Sequence, residues 1–400
     1  MKKTNLLLIL LLVSSLFLRI IRIDYPKNYV FDEVYYPFTA KEYLKGNKEA
    51  WEWWTKAPEG HAYAWVNPPL AQEIMAGSMF ILKNTDSLAW RLPGVVMGVL
   101  SVYLVYYLGV LLFKKDTIAL LSALIFSIDG LNFVQSRTGM LDIYLVTFCL
   151  LSFVFFIKNK FSISAIFLGM ALANKWTAVY LLGLFILLLI KYRLPIKIFK
   201  FLVIPPVIYL LIYLPFFLTG HTLNQFLQLI NQQWWYHTHL KAAHDYASSW
   251  WSWPLNLYPV WYFVDYQKDK IANIFAFGNP VVFWVGTIAI LLTVRDYLKK
   301  RSESLLLVLA GFFFLWLPWA ISPRLMFIYY FSPSVPFLSL ALGYQLSLGL
   351  DKKKSQPMII IFLSLMILSF ILVYPFLTGI PIPKEFIKLF FLINMSKNPF

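Results

Sequence analysis

Long apolar runs alternate with short polar connections along most of this 400-residue chain. A run of about 18 apolar residues or more is long enough to cross a bilayer as a helix. The pattern predicts about eleven such segments, of which 161–173 is short enough to be a tilted or partial helix. The segments are 4–21, 92–113, 117–133, 140–157, 161–173, 176–190, 199–219, 280–294, 304–321, 325–350 and 357–378. The chain is therefore predicted to be an all-α polytopic membrane protein.

The first apolar segment follows Met1-Lys2-Lys3, which is also how a secretory signal peptide begins. It contains no A-x-A-like cleavage site, and Arg19 and Arg22 close it. We therefore expect an uncleaved first transmembrane helix.

Two long connections, 22–91 and 220–279, interrupt the alternation and are rich in Trp, Tyr and His. This composition is typical of segments that lie at a membrane–water interface. Within the first connection, residues 70–82 are apolar but too short to cross comfortably, which favours a re-entrant or interfacial helix. With no repeat, no Gly/Ser linker and no soluble domain in the pattern, we expect one transmembrane domain over residues 1–400.

Composition and charge agree with a membrane protein, because 60% of the residues are hydrophobic and only 14% are charged. The net charge of +16 is explained by membrane topology rather than by nucleic-acid binding. The basic residues gather in alternate connections, as the positive-inside rule expects. These residues are Lys114, Lys115, Lys158, Lys160, Lys191, Arg193, Lys197, Lys200, Arg295, Lys299, Lys300, Arg301, Lys352, Lys353 and Lys354. The N-terminus is then cytoplasmic, and the two long connections and the C-terminus are external. The single cysteine, Cys149, lies in an apolar run and allows no disulfide within the chain.

Three basic residues, Arg137, Lys175 and Arg324, lie in short connections on the external side. Each is explained separately by headgroup anchoring or by pairing with a local acid such as Asp142. Taken together, cationic groups that converge at a membrane surface suit a phosphate. A phosphate held there with an apolar tail in the bilayer describes a polyprenyl phosphate lipid.

An acidic pair, Asp32-Glu33, follows the first apolar segment on the same external side. The pair alone fits a solvated loop. Beside a bound phospho-sugar, one carboxylate has the chemistry of a general base that deprotonates an acceptor hydroxyl for attack on the anomeric carbon. Its neighbour would orient the acceptor or raise the first group's pKa by repulsion, and basic residues would stabilise the leaving phosphate.

Eight stretches resemble, in order, motifs of the protein O-mannosyltransferase family, which are membrane glycosyltransferases of the GT-C fold. They are RIIRIDYPKNYVFDEVYY (19–36), VNPPLAQEI (66–74), LAWRLPGVVMG (88–98), VQSRTGMLDIYLVTF (134–148), LGMALANKWTAVY (168–180), YHTHLKAAHDYASSWWSWPLNLYPVWYF (236–263), FGNPVVFW (277–284) and PWAISPRLMFIYYFSPSVPF (318–337). The resemblance spans almost the whole chain.

The resemblance implies an inverting transfer of mannose from polyprenyl (dolichyl) phosphate mannose to Ser or Thr hydroxyls of translocated proteins. It makes Asp32 the general base and Glu33 its acceptor-positioning neighbour. The residues assigned to the donor phosphate or sugar are Arg137, Lys175, Arg324, Asn67 and His237. Supporting roles are expected for Arg19, Arg91, Asp142, His244, Tyr246 and Trp253, with Arg19 and Arg91 equally suited to structural roles.

The chain departs from the family pattern at Asn67, where the H-P-P-L histidine is replaced, and at Ala71-Gln72, where the pattern has G-K. The soluble MIR domain of eukaryotic members is absent, which suggests a bacterial or archaeal member in a prokaryotic plasma membrane with its active site on the external face. The resemblance implies no cofactor and no metal, and members often work as dimers.

Alternatives remain open at this point. His237, His239, His244 and Asp245 invite a metal site, although histidines two apart do not share a helix face. A related GT-C transferase that uses a glycolipid acceptor would carry the same donor site. A transporter or lipid flippase is the alternative from another class. Asn394-Met395-Ser396 fits the N-glycosylation pattern, which is frequent by chance.

Overall fold

The predicted apolar segments are helical in a computed structural model, which describes residues 3–239 and 242–386; the Asn394 motif lies outside the described residues. The α-helices are α1 (Lys3–Ile20), α2 (Tyr36–Leu44), α3 (Leu70–Leu82), α4 (Ser87–Phe113), α5 (Asp116–Ser127), α6 (Gly130–Gln135), α7 (Asp142–Ile157), α8 (Phe161–Leu172), α9 (Val179–Lys191), α10 (Ile198–Ile212), α11 (Leu214–Leu218), α12 (Leu223–His239), α13 (Pro280–Lys300), α14 (Glu303–Trp316), α15 (Val335–Leu350) and α16 (Gln356–Thr378).

Membrane-crossing length is reached by five of the described helical stretches, which are also apolar enough to span. They are Ser87–Phe113, Pro195–Ile212, Pro280–Lys300, Glu303–Ile321 and Lys353–Thr378. Other segments are shorter or interrupted. The Asp129 carboxylate, for example, accepts hydrogen bonds from the N–H groups of Leu131 and Asn132 and so separates α5 from α6. The helical class is confirmed, and the count of about eleven spans stays a prediction.

Small residues allow the central helices to approach one another closely. A Cβ on Gly109 of α4 would lie 2.7 Å from the Cα of Ala119 in α5, and a Cβ on Gly343 of α15 would lie 2.2 Å from the Oγ of Ser122. Such contacts favour association of helices in lipid, where dispersion and not the hydrophobic effect drives packing. Helix α5 is thereby held between α4 and α15.

The first long connection is ordered rather than a simple loop. A 3₁₀ turn at Phe31–Val34 carries the acidic pair and leads directly into α2, and the apolar segment 70–82 is helix α3, as predicted. Trp51 of this connection packs with Tyr213, Phe216 and Phe226, the last of which belongs to α12 in the second connection. The two long connections therefore pack against each other.

A small antiparallel sheet in the second connection was not predicted. Strand β1 (Val260–Tyr266) pairs with β2 (Lys270–Ala276), which pairs with β3 (Ile382–Pro383), and the register shifts between Trp261 and Phe263. The run VWYFVDY, rich in aromatic and β-branched residues and followed by the polar turn QKD, is a hairpin signal. In an otherwise helical chain, the aromatic content of this run suggested an interfacial segment instead.

Candidate active site

A cavity of about 520 Å³ lies where the two long connections meet the ends of the helices. Its walls come from the acidic turn and the start of α2, from residues 62–67, from the end of α12 and from the segment 324–330. Of the residues that the sequence assigned to a site, the cavity wall includes Asp32, Asn67, Asp142, Lys175, His237, His244 and Arg324. The structure therefore brings Asp32 of the acidic pair together with two basic residues, Lys175 and Arg324.

Asp32 lines the cavity from the 3₁₀ turn Phe31–Val34. Burial raises the pKa of its carboxyl group to about 7, opposed by the positive charge of Lys175 and reinforced by the negative charge of Asp142. A carboxyl group with this pKa is well matched to proton abstraction near neutral pH.

Glu33 does not line the cavity, although it is adjacent to Asp32 in sequence. Its buried carboxylate accepts hydrogen bonds from Arg91 at Nε (2.8 Å) and Nη2 (2.7 Å), from Trp90 Nε1 (3.2 Å) and from the N–H groups of Gly139 (2.8 Å) and Val30 (3.0 Å). These bonds engage both oxygens. The position of Glu33 does not support the role expected for it as an acceptor-positioning group, since its bonds hold the turn that presents Asp32.

Arg91 completes this anchor from the start of α4. Besides Glu33, its guanidinium donates to the carbonyl oxygens of Ile23 (2.9 Å), Pro26 (2.8 Å) and Asn28 (3.3 Å). The structural alternative left open for Arg91 therefore fits its position, because one buried guanidinium fixes the whole approach to the acidic turn.

Lys175 lies on the cavity wall and is paired with Asp142, with 2.9 Å between Nζ and Oδ1. Its ammonium group also lies 4.7 Å from the centre of the Tyr330 ring. Asp142 begins α7 and Lys175 follows α8, so two helix ends set the position of this charge.

Arg324 lies on the same wall and is hydrogen-bonded through Nη1 to the Nδ1 atom of His237. The other ring nitrogen of His237, Nε2, is 3.0 Å from the carbonyl oxygen of Val66. Burial, together with the smaller effect of the positive charge on Arg324, lowers the pKa of His237 to about 3. A neutral ring satisfies both contacts, with Nε2–H donating to Val66 and Nδ1 accepting from Arg324.

Asn67 faces the cavity from the end of the 62–67 wall. Its Nδ2 group donates to the Tyr36 hydroxyl at 3.4 Å, and its Oδ1 atom is buried without a hydrogen-bond partner among the described residues. An unsatisfied buried acceptor beside a cavity is available to a bound hydroxyl group.

Arg137 and Arg19 lie away from the cavity, so the expectation that Arg137 contacts the donor phosphate is not supported by its position. The Arg137 guanidinium donates to carbonyl oxygens at the end of α1, those of Leu18 (3.1 Å), Arg19 and Ile21 (2.6 Å). Arg19 donates to Ser136 (3.0 Å) and to Ser15 (2.6 Å). The two arginines fasten the end of α1 to the segment around Ser136.

The remaining candidates divide between the cavity and the protein interior. His244 lines the cavity, whereas Trp253 is fully buried and donates to Ser248 (2.9 Å), and Tyr246 contacts the ring of His244. His239 contacts Thr238 and stacks on Trp235. Within residues 3–239 and 242–386, no three His, Cys, Asp or Glu side chains converge as a metal site would require.

Aromatic side chains complete the cavity, and the sequence assigned none of them to it. They are Phe31, Tyr35, Tyr36, Tyr63, Trp65, Tyr236, Tyr262, Phe327, Tyr329 and Tyr330. The ring of Phe31 stacks on that of Tyr262, with centroids 4.4 Å apart, so β1 supports the acidic turn. The signal for most of them was the aromatic richness of the two long connections, which also predicts interface anchoring. Phe327, Tyr329 and Tyr330 come instead from the predicted apolar segment 325–350.

This arrangement has the groups that displacement of a phosphate from a sugar carbon requires. A carboxylate able to accept a proton lies in one cavity with an ammonium and a guanidinium group that suit a departing phosphate. Tyrosine rings and a free amide oxygen offer stacking surface and hydrogen bonds to a sugar.

Family models match both halves of the chain. The model described as dolichyl-phosphate-mannose-protein mannosyltransferase matches residues 9–241. The C-terminal four TMM region of protein-O-mannosyltransferase matches residues 222–394.

Relatives of known name are similar over most of their length. The polyprenol-phosphate-mannose–protein mannosyltransferase of Mycolicibacterium smegmatis is 24% identical over 80% of this chain and 79% of its own. The enzyme of the same name from Corynebacterium glutamicum is 23% identical over 80% and 79%.

Solved structures share the fold. A chain of the S. cerevisiae protein O-mannosyltransferase Pmt1-Pmt2 complex bound to the sugar donor matches with a TM-score of 0.83 at 15% identity, over 98% of this chain and 92% of that one. ArnT from Cupriavidus metallidurans bound to undecaprenyl phosphate matches with a TM-score of 0.61 at 15% identity, over 85% and 60%. The Archaeoglobus fulgidus oligosaccharyltransferase matches with a TM-score of 0.63 at 13% identity, over 100% and 59%. These matches confirm the GT-C glycosyltransferase fold.

Proposed function

The chain belongs to the dolichyl-phosphate-mannose-protein mannosyltransferase family, and from that premise we propose that it transfers mannose by a single displacement in which Asp32 is the general base. The donor is a polyprenyl phosphate mannose and the acceptor is a protein. The protein is an integral membrane enzyme.

The observation that carries the proposal is the presence of Asp32, Lys175 and Arg324 in one cavity. Asp32 accepts the proton of a Ser or Thr hydroxyl as the hydroxyl oxygen forms a bond to the anomeric carbon. The bond between that carbon and the phosphate oxygen breaks at the same time, which inverts the anomeric configuration. The electron pair leaves on the polyprenyl phosphate, so no proton has to be delivered to it.

Arg324 and Lys175 stabilise the phosphate in different ways. Lys175 is partly neutralised by Asp142 at 2.9 Å. Arg324 has no carboxylate within 4.0 Å in the described part of the chain, and its partner His237 carries no charge when its pKa is about 3. Arg324 therefore keeps more positive charge for the phosphate, and a planar guanidinium binds phosphate oxygens in pairs.

Placement in the membrane follows from the same proposal. We infer that the cavity lies on the external face and the N-terminus in the cytoplasm, an inference that the positive-inside pattern supports. The phosphate then lies at the external membrane surface with the polyprenyl tail in the bilayer. The acceptor would be a translocated protein. The oligomeric state to test is a dimer of this chain.

A transfer assay tests the proposal. The purified protein is given radiolabelled polyprenyl phosphate mannose, a Ser/Thr-rich peptide and EDTA, beside the Asp32→Asn variant. We expect label in the peptide that is insensitive to EDTA, an inverted anomeric product, and loss of turnover by about 10²- to 10⁴-fold in the variant, the usual contribution of a general base.

The outcomes separate the parts of the proposal. Near-normal turnover by Asp32→Asn would show that Asp32 is not the base. A donor that binds without labelling the peptide would move the acceptor to another class, such as a glycolipid. Loss of label with EDTA would require a metal in the mechanism.

A further inference from the structure

One wall of the cavity is made by consecutive residues of the first external connection. Ala62, Tyr63, Ala64, Trp65 and Val66 all line the cavity, and we name residues 62–66 the ledge. None of them belongs to a helix or a strand. Two of the five side chains are methyl groups.

The ledge is held in place by hydrogen bonds to both long connections. The N–H group of Ala64 donates to the Thr39 hydroxyl (2.8 Å). The carbonyl oxygen of Trp65 accepts from Gln233 Nε2 (2.7 Å), and that of Val66 is 3.0 Å from His237 Nε2. The ledge therefore joins α2 of the first connection to α12 of the second and is positioned by both.

The main-chain groups of Tyr63 in the ledge are left without partners among the described residues. Neither the N–H nor the C=O of Tyr63 makes a hydrogen bond to any described residue, whereas the neighbouring N–H groups of Ala62 and Ala64 are both bonded. A buried main-chain donor and acceptor without partners are costly, so a bound group or water is expected to satisfy them.

The ledge adjoins the turn that carries the proposed base. The N–H group of Ala62 donates to the carbonyl oxygen of Val34 at 3.4 Å, and Val34 follows Asp32 by two residues. A ligand that lies along the ledge is thereby brought to Asp32.

We propose that the ledge binds the main chain of the acceptor polypeptide in an extended conformation, so that a Ser or Thr hydroxyl of the acceptor reaches Asp32. This inference rests on the proposed function and adds how its substrate is held. A polypeptide offers paired N–H and C=O groups at every second residue on one side, as in strand addition, and the N–H and C=O of Tyr63 match one such pair. Main-chain pairing leaves the acceptor sequence free, and Ala62 and Ala64 leave room for varied side chains.

An N-methyl scan of the acceptor tests the inference with the unaltered enzyme. A Thr-containing peptide is compared with peptides in which single amides near the Thr carry a methyl group, which removes the donor and blocks close pairing. We expect the KM for the peptide to rise at least about tenfold for amides on one side of the extended chain and to stay near normal for alternate amides.

The outcomes distinguish the ledge from the reaction itself. Equal transfer to all the methylated peptides would overturn binding through the ledge while leaving the proposed function intact. The same holds for losses that do not alternate along the peptide. No transfer even to the unmethylated peptide would overturn the proposed function, and the inference with it.

A pair of enzyme variants tests the same point from the other side. Ala62→Leu fills the space above the ledge, and Ala242→Leu makes the same change at an exposed position that does not line the cavity. We expect Ala62→Leu to raise the KM for the peptide about tenfold with unchanged affinity for the donor lipid, which also reports correct folding. A normal KM in Ala62→Leu would overturn the inference.

Discussion

Glu33 and Arg91 meet in a two-point ion pair, with Arg91 Nη2 2.7 Å from Glu33 Oε2 and Arg91 Nε 2.8 Å from Glu33 Oε1. Both side chains are buried, and both are bonded to main-chain atoms of the segment that leads into the acidic turn. The pair sets the direction of the turn, so that Glu33 points to the interior and Asp32 points to the cavity. The two adjacent carboxylates therefore have different roles: Glu33 holds the turn, and Asp32 faces the cavity.

Breaking this pair is expected to destabilise the protein. Arg91→Ala leaves the Glu33 carboxylate buried without its cation, which typically costs about 3–5 kcal/mol. We expect a lower melting temperature in detergent, with activity lost in proportion to the folded fraction and to disorder of the turn.

The double variant Glu33→Gln with Arg91→Met serves as the control, because it leaves no unpaired charge. We expect it to be more stable than Arg91→Ala alone. If the double variant were as unstable as the sum of the two single changes, the two residues would not be coupled through their charges.

The pH dependence of the reaction reports Asp32. Its pKa is raised to about 7 by burial, so the carboxyl group is protonated and inactive as a base below that pH. We expect kcat/KM for the peptide to rise with pH through about 7 and then to level off. A profile that is flat from pH 5 to pH 8 would contradict Asp32 as the titrating base.

The same shift affects stability in the opposite direction. An unfolded Asp releases its proton near pH 4, and folded Asp32 keeps its proton up to about pH 7. The folded state therefore holds the extra proton between these values, and stability falls as pH rises through that window. Asp32→Asn removes this loss, so we expect its melting temperature to exceed that of the wild type by more at pH 8 than at pH 4. An equal difference at both values would argue against the raised pKa.

Hydrophobic runs predicted the helices, since they report which backbone segments lie in lipid, and charge alternation assigned the two long connections to the same side of the membrane. The structure packs these two connections around one cavity. Arg137 shows a limit of prediction from sequence. A basic residue beside an apolar helix satisfies either a phosphate or the unpaired carbonyl groups at a helix end, and both have the same sequence signature. Only the position of α1 decides, and Arg137 donates to its last carbonyl oxygens.

The acidic pair shows a second limit. Side chains that are adjacent in sequence point in different directions when the backbone turns, and the 3₁₀ turn at Phe31–Val34 depends on Arg91, Trp90 and Gly139, which are distant in sequence. There is no room for a side chain at position 139, since a Cβ on Gly139 would lie 2.4 Å from the ring of Pro37. Contacts of this kind are set by tertiary packing and leave no local pattern.

Arg137 and Arg324 are expected to respond differently to substitution. Arg137→Gln removes donors from carbonyl oxygens at the end of α1, at a cost of about 1–3 kcal/mol for each buried group left unsatisfied. We expect a lower melting temperature and a nearly unchanged donor affinity in the folded fraction. Titration of the purified variant with the donor lipid measures this, and a large loss of donor affinity at unchanged stability would return Arg137 to the phosphate site.

Arg324→Ala is expected to show the reverse pattern, because its guanidinium faces the cavity and is held by a neutral ring. Losing a hydrogen bond to a charged group costs about 1.5–3 kcal/mol, which corresponds to a donor affinity lower by about 10- to 150-fold. His237→Ala keeps the charge and removes its support at Nδ1, so its loss should be smaller. Donor titrations at two salt concentrations separate the cases, since the salt dependence should weaken in Arg324→Ala and persist in His237→Ala. If both variants lost affinity equally and kept the same salt dependence, Arg324 would not be the phosphate ligand, and the positive charge at the leaving group would come from Lys175 alone.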